Sequence, residues 1–336
     1  MRRLPGEFEA QSFVQIIFPH AQSDWAPYLD EACENFVHIA NAVRRYEQCL
    51  IVCDDIQRVK NFFPKQENLC FVQYRSDDTW ARDCSGITVY DNDMPKILDF
   101  TFTGWGGKFD ASADNAMTEA ISSHYGAAVE KADFILEGGG IESNGAGTLL
   151  TTAECLLNPN RNSAHSETDV ENVLKDAFGL KQILWLNHGY LAGDDTDSHI
   201  DTLARFIDEK NIMYVQCDDS SDEHYEALRL MEQELLQFRD PDGNPFGLIP
   251  LPMCTPAYYD GERLPATYAN FLIIDGAVLV PVYNDPNDAA ALEIFAEAFP
   301  AREIVAIDCS VLIRQHGSLH CVTMQFPKGV LPLHYQ

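Results

Sequence analysis

Apolar residues recur at helical spacing over 23–46, where Trp25, Leu29, Ala32, Phe36, Ile39 and Val43 share one face behind a Ser23 cap. The same spacing predicts helices over 114–125, 166–178, 222–238 and 287–298. Asp and Glu crowd several of their first turns, where the helix dipole favours negative charge. Between these helices lie paired β-type runs joined by turn residues. GITVY and KILDFTF flank Asp91-Asn92-Asp93, and GGIES and GTLLTT flank Asn144-Gly145. HIDTLARFI and IMYVQC flank 208–211, and ANFLII and AVLVPVY flank Asp275-Gly276. Asn-Gly and Asp-Gly between apolar runs are strong hairpin signals.

Each hairpin is followed by a helix and one more strand, such as QILWL at 182–186 or EIVAI at 303–307. The unit is hairpin, helix, strand, repeated every ~50–70 residues. Four copies are explicit. A fifth forms if SLHCVTMQF near the C-terminus pairs with FVQIIF near the N-terminus, ahead of the long helix and CLIVC. No linker divides the sequence, so residues 1–336 read as one α/β domain. Five units around an axis make a propeller-like disc. An ordinary mixed sheet uses the same elements, so the pattern alone leaves ring closure open.

Charge narrows the partners. Lys and Arg number 23 against 52 Asp and Glu, a net charge of −29 in 336 residues. Nucleic acid and anionic membrane surfaces both need clustered Lys and Arg and are not expected as partners. A cationic small molecule suits an acidic cleft, although a solvated acidic surface gives the same total. The ten cysteines contain no C-x-x-C, and MRRLPGEFEAQSF has no apolar run. A reduced, cytoplasmic protein without signal peptide or membrane span is expected. The sequence does not fix the subunit count, and a homo-oligomer is compatible with it.

Four segments place reactive side chains and glycine just before or within the first strand of a hairpin. They are Trp80-Ala81-Arg82-Asp83, Glu137-Gly138-Gly139-Gly140, 194–201 (DDTDSHID), and 316–321 (HGSLHC). Matching points of a ring converge on its axis, which would gather Cys321, His199, Glu137, Asp83 and Asp201. Singly, each has a plainer reading. Cys321 fits an alternating strand as a core residue, and His199 a hydrogen-bonded buried histidine. Glu137 and Asp83 fit caps or turns. The Gly run lacks phosphate-loop spacing, and 194–201 lacks the glycine and closing Glu of a calcium loop. His316 and His320 are four apart, but not on a helix. No metal site is expected.

Together the segments resemble the agmatine deiminases and bacterial-type peptidylarginine deiminases of the guanidino-group-modifying (pentein) superfamily. The matching text is TWARD, EGGGIESNGAGTLLTTAECLLNPNRN, DDTDSHIDTLARF, RLPATYANFLI and HGSLHCVTMQ, in the family's order from about 74 to 327. The resemblance implies a five-fold pseudosymmetric ββαβ propeller with its catalytic site on the central axis. It implies Cys321 as nucleophile, His199 as acid and base, Glu137 orienting His199, and Asp83 and Asp201 gripping the guanidinium. No cofactor is implied. Trp80 fits the guanidinium or the alkyl chain, and equally a structural role. Asp195 is the candidate for agmatine's distal amine, against a plain loop carboxylate.

Two departures bear on the substrate more than the reaction. Ser198 stands where many agmatine deiminases have Gly, and His316-Gly317-Ser318 replaces a glycine-rich approach to the cysteine. The expected reaction is agmatine to N-carbamoylputrescine plus ammonia, in putrescine synthesis. The alternatives are deimination of arginine or peptidyl-arginine to citrulline, an inactive pentein acting as a binding protein, and a papain-like thiol hydrolase. The intact Cys-His-Glu-Asp-Asp set disfavours the binding protein. The convergent carboxylates disfavour the papain-like enzyme.

Overall fold

The computed structural model describes residues 2–331 as a mixed α/β fold. Five sheets repeat one pairing rule, an antiparallel pair followed by a parallel strand. Ile87–Asp91 pairs antiparallel with Met94–Thr101, which pairs parallel with Ala128–Ile135. Ile141–Ser143, Thr148–Thr152 and Gln182–Leu186 repeat the rule. So do Ala204–Phe206, Asn211–Gln216 and Gly247–Pro252. Leu272–Ile274, Ala277–Val282 and Glu303–Asp308 make the fourth. In the fifth, Thr323–Pro327 pairs antiparallel with Gln11–Ile17, which pairs parallel with Gln48–Cys53. The two ends of the chain thus share one sheet.

A parallel neighbour requires a crossover, and a helix supplies it in every unit. These helices are Ser112–Ala120, Glu167–Phe178, Tyr225–Gln237, Asp288–Ala298 and, in the fifth unit, Leu29–Val43. Glu167–Phe178 begins with a reciprocal cap between Ser166 and Asp169 and ends at left-handed Gly179. Phe13, Phe36 and Phe326 belong to one apolar core, and Phe206, Phe271 and Phe295 to another.

The structure departs from the sequence expectation in places. Ser23 does not cap the first helix. Its hydroxyl donates to His20 O, and a 3-10 turn over Ala26–Tyr28 precedes Leu29–Val43. The helix expected over 114–125 ends at Ala120, with a separate turn over Ser122–His124. Only Ala204–Phe206 of HIDTLARFI is strand, since Ile200–Thr202 forms a 3-10 turn. Gly247–Pro252 carries two prolines that disguise it. It forms an edge strand, where prolines are tolerated.

Candidate active site

Each sheet's first strand is preceded by a turn, and these turns carry the reactive side chains. Asp83 sits in a helical turn over Ala81–Cys84, and Glu137 heads the 3-10 turn Gly138–Gly140. His199 heads Ile200–Thr202, which contains Asp201. A turn at 268–270 supplies Asn270, and one at 319–322 supplies His320 and Cys321. Cys321 therefore lies in a turn ahead of its strand, not within the strand. All seven side chains are buried.

Gly139 lets three of these groups meet. A β-carbon there would stand 2.6 Å from His199 Nδ1, 2.8 Å from Asp83 Oδ1 and 3.1 Å from Asp201 Oδ2. No side chain fits in that space. The Gly139 N–H instead donates to Asp83 Oδ1 at 2.9 Å, and Trp105 Nε1 donates to Oδ2 at 2.9 Å. Both carboxylate oxygens are thereby fixed.

Cys321 Sγ donates to Asn270 Oδ1 at 3.4 Å and lies 3.9 Å from Asp201 Oδ2. Asn270 Oδ1 also accepts the backbone N–H of His320 at 2.9 Å and of Cys321 at 3.3 Å. Asp201 Oδ2 accepts from His320 Nδ1 at 2.8 Å, while its buried Oδ1 has no hydrogen-bond partner among the described residues. A buried carboxylate oxygen without a donor is an acceptor available to a ligand.

His199 stands between carboxylates, with Nδ1 3.7 Å from Asp83 Oδ1 and Nε2 3.9 Å from Glu137 Oε2. These are ion-pair distances, too long for hydrogen bonds. Glu137 does not grip His199. Its oxygens accept from Arg161 Nε at 3.0 and 2.8 Å, and Arg161 also binds Asp197 Oδ2 at 2.7 Å and Thr196 O at 2.9 Å.

The electrostatics follow from burial and these partners. Burial opposes a charge on His199, but Asp83 and the groups around it outweigh burial and hold the imidazole well above its ordinary value. Burial, then Asp201 and Asp83, push the Cys321 thiol well above its ordinary value. Burial would raise Asp201 and Glu137 also. His320 brings Asp201 below the usual carboxylate range, and His199 and Arg161 bring Glu137 below it. Burial leaves Asp83 raised despite His199. The resting site thus pairs a charged imidazole with a neutral thiol.

A cavity of about 680 Å³ opens onto Cys321 and Asp83. Trp80 lines it, with its indole donating to Asp78 Oδ2 at 3.1 Å. Gly317 admits that indole, since a β-carbon there would stand 2.2 Å from the ring. Asp195 also lines the cavity, and burial and Asp194 raise its carboxyl to about 6. Its backbone carbonyl, rather than its side chain, accepts from Lys108 Nζ at 2.5 Å. Of the other acids on the wall, Asp77 and Asp114 are engaged by backbone N–H groups.

Sequence reasoning missed several contributors. Asn270 stands in the quoted ANFLI at the matching point of the fourth unit, and that position was the available signal. Arg161 stands in the quoted NPNRN, where it reads as a structural arginine; Trp105 and Glu7 had no comparable signal. Glu7 Oε2 accepts from His320 Nε2 at 2.7 Å and lies 3.5 Å from Arg82 Nη2. Its Oε1 lies 3.0 Å from Arg205 Nη2 and accepts from Ile273 N at 2.7 Å. Arg205 also donates to Glu142 Oε2 at 2.6 Å. This buried ionic cluster ties together residues next to Asp83, Asp201, Asn270 and Cys321.

Residues 3–327 match the Porphyromonas-type peptidyl-arginine deiminase family. The chain is 33% identical to a Vibrio parahaemolyticus protein provisionally named an agmatine deiminase, with 96% of each chain covered. It is 49% identical to the structure of a Porphyromonas gingivalis protein provisionally named an arginine deiminase (TM-score 0.95, covering 98% of this chain and 100% of that one). It is 41% identical to a cysteine-to-serine variant of Campylobacter jejuni agmatine deiminase solved with substrate bound (TM-score 0.94, 98% and 97%). A dimethylarginine dimethylaminohydrolase, 14% identical with TM-score 0.52 over 94% of this chain and 100% of that one, shares the fold.

Proposed function

The chain belongs to the Porphyromonas-type peptidyl-arginine deiminase family, and from that membership we propose that it hydrolyses the guanidinium of agmatine to N-carbamoylputrescine and ammonia. The carrying observation is the convergence over Gly139 of two buried carboxylates and an imidazole, beside a buried thiol at the end of a cavity. A delocalised, permanently protonated guanidinium needs that set. Carboxylates hold its N–H fork, a thiol attacks its carbon, and an acid protonates the leaving ammonia. No cofactor takes part in this reading.

Asp83 and Asp201 bind the guanidinium by charge-assisted hydrogen bonds, with Asp201 Oδ1 as an available acceptor. The arriving cation offsets the two carboxylates that raise the Cys321 thiol, so substrate favours its own attacking thiolate. The thiol proton leaves through the cavity. The thiolate adds to the guanidinium carbon, and the resulting adduct is neutral. His199 passes its proton to one departing nitrogen, releasing ammonia and leaving a cationic S-alkylthiouronium. Neutral His199 then takes a proton from water, whose hydroxide adds to the same carbon. Collapse expels the Cys321 thiolate, and the proton of the added hydroxyl passes to that thiolate, which leaves the neutral ureido product and restores the resting thiol. Glu137, pinned by Arg161, supports the imidazolium through charge rather than by a hydrogen bond.

Agmatine is favoured over arginine by the cavity wall. Asp195 presents a carboxylate not committed to another residue's hydrogen bond, suited to a distal ammonium. Trp80 and Trp105 provide apolar wall for the methylene chain. Arg75 on the same wall has no ion pair among the described residues, which keeps a carboxylate-bearing substrate as the second reading. Ammonia and ureido product from agmatine, arginine and a blocked arginine peptide, measured side by side, decide between them. Faster turnover of arginine or peptide would overturn the agmatine assignment.

The five like-paired sheets support closure into a five-fold pseudosymmetric propeller, a single pentein domain over 1–336 with the site on its axis. Ten free, buried cysteines support a reducing, cytoplasmic setting. Among the described residues no helix is long and apolar enough to cross a membrane. The acidic charge supports a small cationic partner over nucleic acid or membrane, and a homo-oligomer is compatible with this reading.

A further inference from the structure

Beside His199 lies a second sulfur that the reaction does not use. Cys155 sits in a short helical turn, Ala153–Leu156, whose N-cap Thr152 accepts from Cys155 N and donates to Ser198 O at 2.8 Å. The same threonine thus ties the cysteine to the loop that carries His199. Glu137, Cys155 and His199 each offer a ligand atom within 4.8 Å of the other two, and all three are at most 1% exposed. His199 Nε2, which faces Glu137 Oε2 at 3.9 Å, is a buried nitrogen without a hydrogen-bond partner among the described residues.

We propose that Glu137, Cys155 and His199 form an inhibitory binding site for a thiophilic divalent cation such as Zn2+. Imidazole, thiolate and carboxylate are a zinc ligand set, and the three ligands leave a fourth position for water. Arg161 engages both oxygens of Glu137 through one N–H group, and lone pairs remain to receive a cation. Nε2 and Oε2 must close from 3.9 Å by about 0.6 Å to meet tetrahedral geometry at metal–ligand distances of about 2.0 Å.

The charge balance makes burial of the ion tolerable. Binding removes one proton from the His199 imidazolium and one from the Cys155 thiol, and brings in two positive charges. The net charge of the buried site is unchanged, so the desolvation penalty of an uncompensated ion does not arise. Inhibition follows because a metallated His199 has no proton for ammonia and cannot take one from water. Onset is slow, since all three ligands are shielded from solvent.

The test uses Co2+ as probe, because cobalt bound to thiolate gives a near-ultraviolet sulfur-to-metal charge-transfer band. Co2+ in molar excess is added to wild type, Cys321→Ala, and the double variants Cys321→Ala/Cys155→Ser and Cys321→Ala/Cys155→Ala. Thermal melts show which variants are folded. The band is expected in wild type and Cys321→Ala, at one equivalent, displaced by Zn2+ and lost in each folded double variant. Loss in Cys321→Ala alone would place the ion on the nucleophile and overturn the proposal. Persistence in a folded double variant, or no band in wild type, would overturn it too. This readout needs no turnover, so it stands apart from the reading of His199 as acid and base. Slow Zn2+ inhibition of wild type, reversed by chelator, is the companion measurement.

Discussion

Asn270 Oδ1 meets Cys321 Sγ at 3.4 Å while accepting two backbone N–H groups of the same turn. One amide oxygen therefore sets both the thiol's position and the course of the chain leading to it. Removing it leaves the buried Cys321 N–H without its acceptor, at about 1–3 kcal/mol, while the His320 N–H keeps the Asn270 backbone carbonyl at 3.1 Å. Asn270→Ala is expected to lower kcat/KM by at least about tenfold. Asn270→Asp adds a negative charge beside a thiol that burial already disfavours ionising, and is expected to be slower still at neutral pH. Steady-state assays with pH profiles check both. An Asn270→Asp variant matching wild type would contradict the assigned contact.

Asp83→Asn and Asp201→Asn keep the volume and remove a charge facing the guanidinium. Loss of a charge-assisted bond costs roughly 1.5–3 kcal/mol, so kcat/KM should fall about ten- to a hundredfold or more. The two should differ in kind. Asp83 accepts from Gly139 N and Trp105 Nε1, so an amide there must turn an NH2 group toward a donor. Asp201 keeps one oxygen free for substrate. Asp83→Asn should therefore lower thermal stability more than Asp201→Asn, as melting curves would show.

Asp195 gives a pH prediction. Its carboxyl is raised to about 6, so it loses charge as pH falls through that value. KM for agmatine should rise there, while a guanidine with an uncharged tail keeps its KM. Asp195→Asn should reproduce the low-pH behaviour at neutral pH, mainly in KM. Equal losses on both substrates would show that Asp195 is a loop residue.

Glu7 holds His320, Arg82 and Arg205 from below the site. Removing one partner of a buried ion pair costs roughly 3–5 kcal/mol, so Glu7→Gln should lose stability on that scale in urea denaturation. Burial would raise the Glu7 carboxyl, but Arg205 and His320 bring it well below its ordinary value of 4.5. Its stabilisation is present above that value and is lost as pH falls toward the depressed native one. The acid limb of the wild-type stability curve should therefore be shallower in Glu7→Gln. Equal limbs would mean that Glu7 is not held as an anion.

The hairpin-helix-strand repeat was legible because apolar period and turn residues change together at each boundary, as at Asn144-Gly145. The strand 247–252 was hidden by Pro250 and Pro252. Cys321, His199, Glu137, Asp83 and Asp201 stood out because their segments occupy the same point of each repeat and together resemble one family, whereas singly each had a plainer reading. Glu7 was not, since its partners lie at least 75 positions away and no local pattern announces a buried ion cluster. Ser198 shows the limit of motif reading. It adopts φ +60°, a left-handed conformation that glycine reaches without penalty, and it is held there by Asp194 Oδ2 on its N–H at 2.7 Å. The departure from glycine changes the side chain and leaves the turn in place.

The account rests on a covalent bond between Cys321 and the guanidinium carbon. Rapid-quench mass spectrometry of the protein during turnover of agmatine tests it most directly. The predicted result is a transient mass gain equal to agmatine less ammonia, located on the peptide containing Cys321, absent in folded Cys321→Ala together with ureido product. Undiminished product from Cys321→Ala, or an adduct placed on Cys155, would contradict it.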